Sequence, residues 1–257
     1  MGKVSFGVCC SPDKAPLFAA AGFEFFEPSV FGFLMKDEDY LQKMSSSPIP
    51  CHCCNGFIGG DIKLTGVELD KNKTFEYVET ALKRTAECGV KKIVFGSGGA
   101  RRCPDGFPME KAASQLLDFV REAAPLFEKY GVTMVVEPLC KAECNIINSV
   151  AAGAALVNAA NHNSIKLLAD SYHFYKSDNE LDALTWSVPL LRHIHIATMP
   201  ARLGPGMEEW DFTEFFSILK HGGYEGDISV EGAWGEDPAS AAAKAVELLH
   251  KTWDNID

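Results

Sequence analysis

Short apolar runs of four to six residues alternate along this chain with longer stretches whose apolar positions fall three and four apart. The runs are too short for helices and are bounded by glycine, proline or small polar residues, so they read as buried strands. They fall at residues 4–9, 23–27, 49–54, 92–96, 133–136, 166–170, 192–197 and 227–231. The stretches between them read as helices. Residues 73–88 place Phe75, Val78, Leu82 and Thr85 on one face, with Gly89 as the stop. Residues 109–130 repeat the pattern with Leu116, Phe119, Val120 and Ala123. Further helices are expected at 16–21, from near Asp37, from a Ser149 cap to residue 160, at 179–186, and at 212–221 behind Asp211. The last runs from an Asp237 cap with Pro238 in its first turn to residue 253. Eight strand–helix units in 257 residues predict an α/β protein, a (β/α)8 TIM barrel forming one domain over residues 1–257. The rival, a doubly wound open sheet, would carry a glycine-rich nucleotide fingerprint after strand one, and CCSPDKAP is not one.

The strand ends carry the chemistry. Residues 133–136 run into Glu137, and three later strands finish in Asp170, His195 and Glu231. In a barrel, the C-terminal ends of successive strands surround one mouth, so residues one βα unit apart converge there. Three carboxylates and one imidazole make a hard, mainly oxygen site, suited to Mn²⁺, with Mg²⁺ and Co²⁺ as alternatives. For any one acid at a strand end, the plainer reading is a surface residue or a cap; four on successive strands favour a shared metal. In HIHIA, His193 and His195 share a face, and His195 lies nearer the mouth. His193 is expected beneath it, orienting it or satisfied in the core. Glu27 ends strand two inside the mouth and is a candidate substrate contact. GSGGARR, with Gly96, Gly98, Gly99, Arg101 and Arg102, could cradle a phosphate, though a glycine-rich loop with solvated arginines is the plainer reading. Phe57, Phe107 and Trp234 are candidates for apolar walls or for packing, and residues 198–209 for a cover over the site.

Composition narrows the partners. A net charge of −11 argues against nucleic acid and anionic membranes, which need a basic stripe. No apolar run approaches the length of a membrane span. Nine cysteines without an export signal point to reduced thiols and a cytoplasmic location. The cluster Cys51, His52, Cys53, Cys54 lacks the second pair of a closed zinc site and reads as a thiol-lined strand end.

The segments VVEPL with its following Glu and Asn, ADSYH, HIHIA followed by RLGPG, and WDFTEFFSILKHGGYEGDISVEG resemble the sugar phosphate isomerase/epimerase superfamily of xylose isomerase-like barrels. Within it the pattern is similar to the D-tagatose 3-epimerase and D-psicose 3-epimerase group, specifically from Glu137 to Glu231 and more loosely before. The resemblance implies one divalent cation on Glu137, Asp170, His195 and Glu231, with Glu137 and Glu231 as the acid/base pair. It places Glu143, His173 and, after a one-residue shift, Arg202 as substrate-binding residues. It also implies a homodimer or homotetramer and a small-molecule sugar substrate. The expected reaction removes a proton α to a carbonyl through a metal-stabilised enediolate and returns it, as an epimerase or isomerase. Aldose–ketose or hydroxypyruvate-type isomerisation and 3-keto-glycoside lysis would use the same site. An endonuclease IV-like phosphodiesterase would need more histidines than follow strand seven here, and a non-catalytic sugar-binding barrel would not need all four ligands.

Overall fold

The computed structural model describes residues 3–177 and 180–257. Its strands are β1 (Ser5–Cys9), β2 (Phe25–Glu27), β3 (Cys53–Cys54), β4 (Lys92–Phe95), β5 (Thr133–Val136), β6 (Ile165–Asp170), β7 (Leu191–Ile196) and β8 (Asp227–Val230). All pairings are parallel, and the order β2-β1-β8-β7-β6-β5-β4-β3 is that of a ring cut between β2 and β3. The cut is spanned by bridges at Phe26–Cys51 and Ser29–Asn55 rather than by a regular ladder. The reason lies in Pro48 and Pro50, which have no N–H to donate, so the expected strand over 49–54 shortens to Cys53–Cys54. The result is a nearly closed TIM barrel.

The helices are α1 (Ala15–Ala21), α2 (Tyr40–Ser45), α3 (Lys71–Glu87), α4 (Gly98–Arg101), α5 (Met109–Lys129), α6 (Val150–Ala160), α7 (Ser171–Tyr175), α8 (Leu181–Ser187), α9 (Thr213–His221) and α10 (Pro238–Asp254). α6 and α10 start as expected, with Ser149 Oγ accepting from Ala152 N at 3.1 Å and Asp237 Oδ1 from Ser240 N at 3.2 Å. The helix expected from Asp37 begins at Tyr40, because the Asp37 carboxylate accepts from Asp39 N at 2.9 Å and forms a turn there. The helix placed at 179–186 is described from Leu181, and Asn179 lies outside the described residues. A π-helical turn at Val30–Leu34 and the short helices α4 and α7 have no helical period long enough to be seen in the sequence.

α3 buries Thr74, Val78, Ala81, Leu82 and Thr85, and α5 buries Leu116, Phe119, Val120 and Ala123, against the outside of the strands. Each fully buried Leu, Val or Phe there contributes about 1.5–3 kcal/mol. Phe57 is wholly buried between Phe95 and Phe127, at centroid distances of 6.3 and 5.5 Å, so it is core and not a site wall. Phe107 also packs against that core.

The barrel interior is layered. At its N-terminal end Lys92 and His52 both bind the Asp227 carboxylate. Above them Cys53, Val94, Val135 and Leu168 form a small apolar cluster of their own. Phe25 fills the space beside Gly7, where any side chain would run into its ring. His52 is thus occupied away from its cysteine neighbours, and all nine cysteines are free thiols. The C-terminal end is left to polar side chains.

Candidate metal centre at the barrel mouth

Glu137, Asp170, His195 and Glu231 come together as the strand-end pattern required, with one potential ligand atom from each lying within 4.8 Å of all the others. Glu137 and Glu231 follow directly on β5 and β8, and their amides still bond to the neighbouring strands, to Phe95 O at 3.2 Å and Ile196 O at 2.9 Å. Asp170 closes β6 and spends Oδ1 on Tyr172 N at 2.8 Å, capping α7 and leaving Oδ2 toward the site. His195 sits at 3.3 Å from both Glu137 Oε1 and Glu231 Oε2 through Nδ1. Two of these buried atoms, Glu137 Oε1 and His195 Nδ1, have no hydrogen-bond partner among the described residues. Unpartnered buried acceptors facing each other are what a bound cation would satisfy. The donor set therefore fits a divalent metal.

The electrostatics agree. Burial raises the Glu137 carboxyl, and burial together with the Glu231 charge pushes Asp170 up to about 6. Glu231 goes down to about 2: burial opposes its charge, but His195 and Arg202 outweigh it. His195 rises well above its ordinary value, because Glu27 foremost, with Cys9 and Glu231, overcomes the penalty of burial.

Glu27 stands beneath the centre rather than on its open side. It is fully buried, with Oε1 at 2.9 Å from His195 Nε2 and Oε2 at 2.7 Å from both His193 Nε2 and Ser229 Oγ. Both oxygens are engaged by the chain's own side chains below the mouth. A carboxylate accepting from Nε2 keeps the proton there and turns the Nδ1 lone pair to the acids. His193, in the layer below, is held near 4 by burial and is neutral.

Arg202 reaches the middle of the site. Its guanidinium lies 2.6 Å from Glu231 Oε2, 2.8 Å from Glu143 Oε1, 3.5 Å from Asp170 Oδ2 and 3.4 Å from His173 Nε2. It stacks over Tyr172 at 4.8 Å and holds a φ of 55°, a left-handed conformation uncommon outside glycine. His173 accepts Cys140 N on Nδ1 at 3.2 Å, so its Nε2 carries the proton and points at the site. The loop over 198–209 is anchored at several points: Glu208 binds Thr198 Oγ1 and Ala201 N, and Ala233 pairs with Arg202 and Gly204. It serves to deliver Arg202.

The two arginines of GSGGARR differ: Arg102 is exposed, as the plainer reading expects, and Arg101 is not. Arg101 is wholly buried and donates to Phe95 O at 2.9 Å and Glu137 O at 2.7 Å, tying the ends of β4 and β5 together. Arg102 is spent on Glu143 O at 2.9 Å. Gly96 is needed because any side chain there would run into Glu137 Oε2. Cys9, with Sγ 3.9 Å from His195 Nε2, is a further side chain at the site that the sequence reading does not single out, although it ends β1 as the four candidate ligands end their strands.

The family described as Xylose isomerase-like TIM barrel matches residues 16–252, and the chain belongs to it. Among curated relatives, the 3-dehydro-D-guloside 4-epimerase of Escherichia coli K12 is 28% identical over 206 residues, 76% of this chain and 77% of that one. The D-psicose 3-epimerase of Agrobacterium fabrum is 26% identical over 127 residues, 48% of this chain and 44% of that one. The crystal structure of a Methylomonas D-allulose 3-epimerase with D-allulose superposes with a TM-score of 0.85 over 98% of both chains at 18% identity, which bears on the fold. By kinship the chain is an enzyme of the isomerase and epimerase kind.

Proposed function

We propose that the chain is a divalent-metal-dependent epimerase or isomerase that moves a proton α to the carbonyl of a keto-sugar. The observation that supports this most is the pairing of Glu137 and Glu231 across His195 Nδ1, each at 3.3 Å, in a pocket that also holds Asp170. Glu137, Asp170, His195 and Glu231 would hold the metal, and their hard oxygen set favours Mn²⁺. Once bound, the cation would polarise the carbonyl and a neighbouring hydroxyl and so acidify the proton between them.

The chain's own residues supply the rest. β5 and β8 stand three places apart around the ring, so Glu137 and Glu231 approach the centre from nearly opposite sides. That is the placement for one carboxylate to take a proton from one face and the other to return one to the opposite face. In the metal-free chain their environments already differ, burial raising Glu137 while His195 and Arg202 lower Glu231 against the effect of burial. His173 Nε2–H and the Arg202 guanidinium would donate to substrate oxygens, with Glu143 orienting Arg202 at 2.8 Å and free to accept from a hydroxyl. Glu27 would act on His195 alone, by fixing its tautomer. A phosphodiesterase of the endonuclease IV type is not favoured, because the acid cluster holds one histidine among the described residues.

The test is proton exchange in D₂O. With Mn²⁺, deuterium should enter the carbon next to the carbonyl of an accepted keto-sugar, stop on chelation and resume on adding Mn²⁺ back. Absence of metal-dependent incorporation across free ketoses, 3-keto-glycosides and hydroxypyruvate would refute the reading.

A further inference from the structure

The centre is not equally roomy on its two sides. Behind Asp170 and His173 the free space is about 10 Å³, enough for a water at most. On the β1 and β8 side an open cleft of about 430 Å³ adjoins it, within the range of sites that take a drug-sized ligand. Cys9 belongs to both: it lines the cleft, and its Sγ lies within 4.8 Å of ligand atoms of His195 and Glu231. A molecule whose reacting carbon sits between Glu137 and Glu231 therefore has Arg202, Glu143 and His173 on one side and this cleft on the other.

The cleft is built firmly. Its Trp234 wall packs on Phe18 and Phe23 at centroid distances of 5.1 and 5.8 Å. The backbone at Gly204 lies flat against the indole, and a side chain at that position would meet the ring at 2.6 Å. Ala233, also in the wall, exchanges backbone bonds of 2.9 Å with Arg202 and Gly204. The wall and the residue that reaches the catalytic centre are therefore one body. The lining mixes apolar Phe18 and Trp234 with polar Ser11 and Lys14.

The cleft's chemistry favours a neutral occupant. The N-terminus of α10 beside it, the usual place for a phosphate, is already capped by the Asp237 carboxylate at 3.2 Å from Ser240 N, with Glu236 adjacent. Lys14 is the one cation in the lining among the described residues.

We propose that this cleft is a subsite for the second ring of a neutral glycoside, so that the enzyme acts on a keto-sugar still linked to another sugar. This rests on the reading of the metal centre given above. A free ketose would leave most of the cleft to water, and a three-carbon keto acid would not reach it.

Two measurements test it. Calorimetric titration of the metal-free protein with glucose and with the disaccharides cellobiose, maltose and trehalose reads the cleft without catalysis. At least one disaccharide is expected to bind ten-fold or more tighter than glucose. Trp234→Ala should bring the two within about three-fold. Ser11→Trp, which fills the cleft from the β1 side while leaving Phe18, Phe23 and Trp234 themselves in place, should do the same. With Mn²⁺ loaded, the 3-keto derivative of the favoured disaccharide should exceed 3-keto-glucose at least ten-fold in kcat/KM. Equal binding and turnover of one-ring and two-ring probes, or tighter binding of glucose 6-phosphate than of any disaccharide, would overturn the proposal. Disaccharide preference in binding with no turnover of either keto probe would uphold the subsite and count against the catalytic reading instead.

Discussion

The two ends of the barrel both bury charge, but they balance it differently. At the N-terminal end one carboxylate, Asp227, meets two basic side chains, Lys92 and His52, the latter at 3.1 Å. Although burial opposes its charge, those partners hold Asp227 well below the usual carboxylate range. At the C-terminal end Glu27, Glu137, Asp170 and Glu231 face the Arg202 guanidinium and the imidazoles of His173, His193 and His195, the first two held toward the neutral form by burial, and Asp170 is pushed up to about 6. One end is neutralised by the chain itself. The other is short of positive charge, and that deficit is what makes it a candidate cation site rather than a structural ion pair.

The largest effect that can set the two ends apart is on stability. Lys92→Met leaves Asp227 without its ammonium partner and should cost about 2–3 kcal/mol, the low side for a broken buried pair, because the Lys92 side chain is 15% exposed. Chemical denaturation would read that loss, and Mn²⁺ affinity should change less than two-fold. A parallel fall in affinity would show that the ends are not independent. Next comes the layer that joins them. Glu27→Gln removes the carboxylate that orients His195 and should weaken Mn²⁺ binding about 10- to 100-fold, read by titration calorimetry, with a loss of about 1–3 kcal/mol in stability from the donors left facing the amide.

The smallest effect is in pH. Asp170 has a raised carboxyl, so between its ordinary 3.8 and about 6 the folded metal-free chain holds a proton that the unfolded chain has lost. Stability then falls as pH rises through that window. His195, also raised, acts in the same direction, its stabilising share being lost as pH rises through its folded value. Asp227 is lowered, and its contribution is present above 3.8 and lost only as pH falls below it. His193 and His173, both lowered by burial, act the other way, their shares being lost as pH falls below 6.5, so the slope to read is Asp170's own, about 1 kcal/mol between pH 6 and pH 5. Asp170→Asn should flatten that slope, whereas Asp227→Asn should not change it in this window.

What could be read from the chain follows the same division between local and distant causes. Glu137, Asp170, His195 and Glu231 were visible because a strand end is a local pattern and the barrel brings strand ends together. The α6 and α10 caps were visible for the same reason: Ser149 and Asp237 act on residues three positions away. Arg101 was not, since its carbonyl partners are set by how β4 and β5 splay, and an arginine beside glycines looks solvated. Glu27 pointed into the barrel as expected, but its partners His193, His195 and Ser229 lie more than 160 residues away in sequence. Arg202 sits in an irregular loop with a left-handed backbone, where no periodicity operates, and only the likeness to related barrels brought it forward.

The most direct measurement is anomalous diffraction from crystals of the Mn²⁺-loaded protein. A single strong peak should lie within coordination distance of Glu137, Asp170, His195 and Glu231 together, and it should vanish in Asp170→Asn crystals soaked at the same concentration. A peak held by any other group of side chains, or no peak at saturating Mn²⁺, would contradict the cation site at the barrel mouth.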